Sequence, residues 1–181
     1  MSLYAPGSLV GKYVPSSPRD MTKANYVIAN EYAYREEGAG LGIVNEALAK
    51  FVVRDFSHLR IYAARRIAIA INRIAPHVEL AGVFEGPSSN TLNSEGGTWG
   101  ELQQAIDFVG NKVAIPVIVA QSRHAPRVAK QAIKMGLDPL LPPNLPEIFD
   151  PESVQWWCRG PHVWPVRELI GAVVLRHRKQ L

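Results

Sequence analysis

Apolar and polar positions follow one another along the chain in an order that predicts alternating strands and helices. Apolar runs at residues 25–30, 59–63, 78–84, 113–120 and 137–141 have the length and β-branched content of buried strands. Between them, residues 41–54, 64–75, 98–110 and a segment ending at residue 135 carry apolar side chains at helical spacing. This alternation is typical of βαβ units. It predicts a three-layer α/β/α Rossmann-like domain with a mainly parallel sheet of about five strands.

The two ends of the chain differ from this repeating pattern. Residues 1–21 are punctuated by Pro, Gly and Ser, which predicts an N-terminal arm, and residues 22–181 form a single domain in this interpretation. A proline-rich segment follows residue 138, and residues 152–159 are expected to form a short helix bearing Trp156 and Trp157. We expect these indoles to pack against the domain or a second copy of it. Residues 166–178 predict a last helix, with Val166 and Val173 facing the sheet.

Composition narrows the class of protein. The chain has 181 residues, of which 47% are hydrophobic, enough for one domain with a core. A formal charge of +4, spread along the chain, gives no reason to expect a nucleic-acid partner. The single cysteine, Cys158, excludes an intramolecular disulfide and a thiolate metal cage. No segment offers about 18 uncharged apolar residues, so we expect no membrane span and a cytoplasmic location. The sequence is compatible with either a monomer or a homo-oligomer.

Polar loops follow two of the predicted strands and supply the candidate site. The loop at residues 85–97 contains hydroxyl, amide and carboxyl side chains: Ser88, Ser89, Asn90, Thr91 and Glu95. The loop at residues 120–127 contains Ser122, His124 and Arg127. Ligands of open parallel sheets bind outside the carboxyl ends of the strands, so we expect these two loops to form one site.

The residue types suggest roles within that site. His124, at a helix start, could act as a general acid or base, and Arg127 could hold an oxyanion. Glu31, in the loop after the first strand, is a further candidate ligand contact. The chain has neither a phosphate-binding Gly-Lys-Ser/Thr loop nor a dinucleotide G-x-G-x-x-G turn, and no histidine spacing predicts a metal site.

These two loops resemble the motifs of the YdcF/SanA/ElyC family of bacterial proteins. The matching residues in the first loop are Ser88 or Ser89 with Asn90, Thr91 and Glu95, and those in the second are Ser122, His124, Pro126 and Arg127. The resemblance implies a Rossmann-like domain over residues 25–178 and makes Glu95 a catalytic candidate beside His124. The chain departs from the family where Glu31 stands in place of a glycine-rich turn, and where Asn93 and Ser94 displace the family's glutamate.

Two function classes follow from this pattern. The first is a hydrolase or transferase acting on a phosphate- or carboxylate-bearing substrate, with His124 as acid/base, Arg127 as anion clamp and Ser89, Asn90 and Thr91 positioning the substrate. The second is a non-catalytic module that binds S-adenosylmethionine or a nucleotide; the resemblance suggests S-adenosylmethionine because it implies such binding for one member. The residues alone do not name the bond that would break.

Overall fold

A four-stranded, all-parallel sheet forms the centre of the fold. The computed structural model describes residues 13–36, 40–86, 97–110, 115–167, 173 and 177. The strands are β1 (Tyr26–Ala29), β2 (Arg60–Ala64), β3 (Leu80–Phe84) and β4 (Pro116–Val119), and their spatial order is β3-β2-β1-β4. Every residue of β1, an inner strand, is buried, and so is every residue of β4, although β4 forms one edge of the sheet. The sequence-based prediction of an α/β Rossmann-like domain is confirmed.

Helices flank the sheet. The helices are α1 (Pro18–Met21), α2 (Ile43–Phe56), α3 (Arg65–Ile74), α4 (Thr98–Val109) and α5 (Ala125–Lys134), with a short 3₁₀ turn at Trp156–Cys158. α2 packs against α3, and α4 packs against α5. Among the described residues, no helix has both the length and the apolar character needed to cross a membrane.

The predicted fifth strand, residues 137–141, does not form, so the expected count of about five strands is wrong by one. Only a single parallel bridge joins Leu140 to Val117 of β4. In this bridge the Leu140 N–H donates to the Pro116 carbonyl at 2.8 Å. Prolines at positions 139, 142 and 143 lack the N–H group that a longer ladder needs, which confines the pairing to one residue.

The C-terminal predictions hold only in part. The helix expected at residues 152–159 is reduced to the 3₁₀ turn. Trp157 packs against the core, whereas Trp156 keeps 47% of its surface exposed. Val166 and Val173, expected to face the sheet, are 53% and 62% exposed. Leu169, Ile170 and Val174 of that predicted helix lie outside the described residues.

The N-terminal segment from residue 13 onward is bound to the chain that follows the single bridge. The Ser16 N–H donates to the Leu141 carbonyl at 2.8 Å, and the Leu141 N–H donates to the Ser16 hydroxyl oxygen at 3.0 Å. The Tyr13 hydroxyl donates to the Pro142 carbonyl. This part of the arm therefore supplies hydrogen bonds to Leu141 and Pro142, which do not pair with a strand.

A buried ion pair fastens the irregular segment after residue 145 to the loop that leaves β1. The carboxylate of Asp150, fully buried, accepts two hydrogen bonds from Arg35, through Nε and Nη2, both at 3.0 Å. The Val154 N–H adds a bond to the Tyr34 carbonyl at 2.9 Å. Two-point binding of a guanidinium by a carboxylate fixes both partners in orientation as well as distance.

Gly42 allows this ion pair to form, and replacing it with alanine should weaken the fold. Its φ of 84° favours glycine, and a Cβ there would lie 2.7 Å from Oδ2 of Asp150. Gly40 is the matched control, because its φ of 89° is similar but no atom lies within 4 Å of the position that a Cβ would take. We expect Gly40→Ala to cost about 1 kcal/mol of unfolding free energy and Gly42→Ala about 3 kcal/mol. Equal losses in urea unfolding would contradict this account.

Candidate functional site

The polar side chains that follow β1 and β4 lie side by side at the place where the strand order reverses. β1 pairs with β2 on one edge and with β4 on the other, which makes the gap beyond β1 and β4 the switch point of the sheet. The Asn30 N–H donates to the Val119 carbonyl at 2.8 Å and so continues the pairing past the ends of both strands. Asn30, Gln121 and Ser122 are all buried there. The fold therefore collects polar groups inside this edge of the sheet.

Glu101, which was not among the residues selected from the sequence, is the carboxyl group of this cluster. It lies in the first turn of α4, is 1% exposed, and its Oε2 accepts a hydrogen bond from Asn30 Nδ2 at 2.8 Å. Thr98 and Glu101 have the spacing of a helix capping box, in which the two side chains accept hydrogen bonds from backbone N–H groups at the helix start. In the structure the N-cap of this helix is Gly97, which provides no side-chain cap, and Thr98 is the first helical residue. The sequence does contain one indication that Glu101 is buried: it lies on the same helical face as the apolar Leu102 and Ala105, which are buried.

Burial keeps Glu101 protonated at neutral pH. It raises the pKa of the carboxyl group from 4.5 to about 8, and the negative charge of Glu31 adds to the rise. The hydrogen bond from Asn30, the charge of Arg127 and the Glu31 backbone lower the pKa by less. Because Oε2 accepts from Asn30, the proton belongs on Oε1. That atom is buried and has no hydrogen-bond partner among the described residues.

His124 is a neutral imidazole with both ring nitrogens engaged. It holds the N-cap position of α5, where Pro126 occupies the first turn, and is 3% exposed. Arg127 Nη2 lies 2.9 Å from Nδ1, and arginine can only donate, so Nδ1 accepts and Nε2 carries the hydrogen. Nε2 then donates to the Thr98 hydroxyl at 3.2 Å. Burial, with the charges of Arg127 and Arg167, lowers the pKa of His124 well below 6.5.

Aromatic rings enclose His124 and Arg127. The imidazole lies 5.7 Å from the Tyr32 ring and 5.9 Å from the Trp164 ring, and the Arg127 guanidinium lies 5.8 Å from the Trp164 ring centre. Arg127 is 8% exposed. The arginine expected to clamp an anion is therefore present at this edge, held in place by its contacts with His124 and Trp164.

Glu31 is fixed by an ion pair. Its carboxylate accepts hydrogen bonds from the Arg66 guanidinium and, at 3.2 Å, from the Arg66 N–H in the first turn of α3. Gly86 leaves room for it, because a Cβ at that position would lie 2.7 Å from the carboxyl carbon. Burial raises the pKa of Glu31, and Arg66 opposes that rise. The second arginine of α3, Arg65, pairs with Glu85 at 3.1 Å.

Several buried polar atoms of this edge have no hydrogen-bond partner in the part of the chain that the structure describes. Gln121 Oε1 accepts from the N–H groups of Arg123 and His124, but its Nε2 has no partner among the described residues. The same holds for the Ser122 hydroxyl and for Asn30 Oδ1. Buried polar side-chain atoms in folded proteins nearly always have partners. Together with Glu101 Oε1, these atoms define the polar edge cluster, where a ligand could complete the hydrogen bonding.

The structure brings four of the sequence-predicted site residues to this edge of the sheet: Glu31, Ser122, His124 and Arg127. Five others lie outside the described residues: Ser88, Ser89, Asn90, Thr91 and Glu95. Of the two glycines that border that loop, Gly86 adjoins the Glu31 carboxyl group, and Gly97 is the N-cap of α4. Within the described ranges, no three His, Cys, Asp or Glu side chains approach closely enough to hold a metal ion.

Comparisons with protein-family models, curated proteins and solved structures returned no match to this chain. Function is therefore inferred from the geometry of the polar edge cluster.

The protonated state of Glu101 should appear in the pH dependence of stability. The native state holds a proton between pH 4.5 and about 8 that the unfolded chain releases, so this contribution to stability is complete below pH 4.5 and is lost as pH rises to about 8. The glutamine of Glu101→Gln cannot titrate, so the variant should not lose this contribution to stability as pH rises. Urea unfolding of both proteins should show the wild type losing a few kcal/mol relative to the variant across this range. Parallel curves would refute a raised pKa.

Proposed function

We propose that this chain is a YdcF-like α/β protein that binds a small anionic or nucleotide-like ligand at the carboxyl ends of β1 and β4. The observation that carries the proposal is the polar edge cluster: buried donors and acceptors without partners among the described residues, at the switch point where open α/β sheets bind ligands. Ligand oxygens would accept from the Gln121 amide, the Ser122 hydroxyl and the protonated Glu101, and a hydroxyl or amino group of the ligand would donate to Asn30 Oδ1.

The charges and donors of the cluster favour an anion. At neutral pH Glu101 is uncharged, and Glu31 is paired with Arg66, so neither carboxyl group presents an unpaired negative charge. Arg127 adds a permanent positive charge in the first turn of α5, where a helix N-terminus also favours anions. A phosphate or carboxylate group matches this combination of guanidinium, hydroxyl and amide donors.

Turnover as a hydrolase or transferase is the catalytic form of this proposal. His124 cannot accept a proton on Nδ1, which Arg127 occupies, and its Nε2–H is directed to Thr98. A substrate oxygen that displaced Thr98 would receive that hydrogen bond. His124 would then orient and polarise the substrate as a neutral donor, as uncharged imidazoles do in some isomerases.

The non-catalytic form is a module for S-adenosylmethionine or a nucleotide. The specific observation in its favour is that both ring nitrogens of His124 are engaged, while Tyr32 and Trp164 offer aromatic surface beside the cluster. His124→Ala separates the two forms. It should abolish turnover of a substrate in the enzyme but reduce ligand affinity only by about tenfold in the module. Calorimetry for affinity and phosphorus or proton NMR for product formation measure the two effects.

Two buried serines provide a matched test of the site. The Ser122 hydroxyl has no partner among the described residues, whereas the Ser153 hydroxyl donates to the Tyr34 carbonyl at 3.2 Å and accepts from the Gln155 N–H at 3.1 Å. Ser122→Ala should leave the unfolding free energy nearly unchanged and weaken ligand binding by about five- to tenfold. Ser153→Ala should cost about 1 kcal/mol of stability and leave binding unchanged.

Calorimetry with inorganic phosphate, adenosine 5′-monophosphate and S-adenosylmethionine measures the binding of both serine variants. Failure of the wild type to bind any member of this panel would contradict the proposed function. Equal weakening by both serine variants would show that the ligand site lies elsewhere.

A further inference from the structure

We propose that Glu101 donates a hydrogen bond from Oε1 to an unprotonated oxygen of the bound anion. This inference rests on the proposed function and names its ligand class: oxyanions such as sulfate, phosphate esters and carboxylates. A glutamate is ordinarily a poor neighbour for an anion. Here the buried carboxyl group acts as a neutral acid and becomes a donor.

Asn30 gives the carboxyl group its orientation. The Asn30 amide nitrogen donates to Oε2 at 2.8 Å, which assigns the acceptor role to that oxygen and the proton to the other. Asn30 is itself held by its backbone bond to Val119 and is fully buried. On the helix side, the buried Leu102 and Ala105 flank Glu101 on α4. The carboxyl group is therefore fixed from both β1 and α4, with Oε1 as its remaining polar atom.

The charged groups around Glu101 come from several elements and act in opposite directions. Glu31, after β1, is negative and favours the protonated form, whereas Arg127 of α5 favours the carboxylate. Glu31 is in turn paired with Arg66 of α3 and lies within electrostatic reach of Glu85, after β3. Burial outweighs these charges and keeps Glu101 neutral in the free protein.

Ligand binding and protonation are consequently coupled. An anion near Oε1 adds negative charge, which favours the protonated form further. Deprotonation of Glu101 removes the donor and adds a repulsive charge at the same place. The site should therefore bind anions at neutral pH and release them as pH rises above about 8.

The test measures sulfate and adenosine 5′-monophosphate binding by calorimetry from pH about 7 to about 9.5. Neither probe changes its own charge appreciably in this range, because phosphomonoesters lose their last proton near pH 6. Three proteins are compared: the wild type, Glu101→Gln and Asp107→Asn. In the glutamine variant the oxygen can accept from Asn30 while the amide nitrogen donates outward. Asp107 is the control, because it is an exposed carboxylate of the same helix, bonded to Gln103.

We expect wild-type affinity to fall by up to about tenfold per pH unit above about 8, and Asp107→Asn to follow it. Glu101→Gln should bind within about threefold of the wild type at pH about 7 and stay constant to the highest pH. A pH-independent wild type, or loss of binding by the glutamine variant at neutral pH, overturns the inference and leaves the proposed function standing.

Infrared spectroscopy gives a second measurement that needs no variant. At neutral pH the carboxylic acid carbonyl band of the wild type should shift when sulfate is added, since Oε1–H gains an acceptor. No shift with bound sulfate overturns the inference. If the wild type binds neither sulfate nor adenosine 5′-monophosphate at any pH, the inference about Glu101 is also overturned. The proposed function is then tested by the binding of S-adenosylmethionine and inorganic phosphate.

Discussion

The hydrogen bond between Asn30 and Glu101 is the contact on which the organisation of the site depends. It joins the residue that follows β1 to the first turn of α4, 71 positions later in the chain. A buried carboxyl group without such a partner would face the full cost of leaving water, and a buried asparagine amide would lose a donor bond. The contact therefore stabilises two polar groups at once and fixes α4 against the sheet at the switch point. It also orders the carboxyl oxygens, so that one accepts within the protein and the other keeps the proton.

The parallel sheet explains why these groups meet. β1 lies between β2 and β4, and the chain leaves β1 and β4 at the same edge, so Asn30 bonds to Val119 and Ser122 lies at the same edge although 92 positions separate it from Asn30 in sequence. α4 and α5 both begin at this edge, because each follows a strand; the first turn of α4 supplies Glu101, and the N-cap of α5 is His124. Rigid elements thus carry the central side chains. The loop that leaves β1 is held in turn by the pairing of Arg35 with Asp150.

Sequence periodicity predicted the alternation of strands and helices well, because buried strands and amphipathic helices are local patterns. It failed at residues 137–141, where the apolar run suggested a strand but neighbouring prolines removed the donors that a ladder requires. Loop position predicted that Ser122, His124 and Arg127 lie past the carboxyl end of β4, and the structure has them there. Glu101 was not predicted as a site residue, because its spacing from Thr98 matches a helix capping box. Only the tertiary structure brings Glu101 to Asn30 and Thr98 to His124. The pairing of Glu31 with Arg66 depends on the packing of α3 and has no sequence signature.

Arg127 determines which buried group can change its protonation. Its guanidinium is almost fully buried, and a charge in that position requires acceptors and favourable rings around it. Nδ1 of His124 provides one acceptor and the face of Trp164 provides another contact. Protonating His124 would remove that acceptor and set two positive charges side by side, so the imidazole stays neutral across the physiological range. Glu101 has the opposite constraint, since burial and Glu31 favour its neutral form while Arg127 limits how far its pKa can rise. The proton that can move near neutral pH in the polar edge cluster therefore belongs to the carboxyl group of α4 rather than to the histidine of α5.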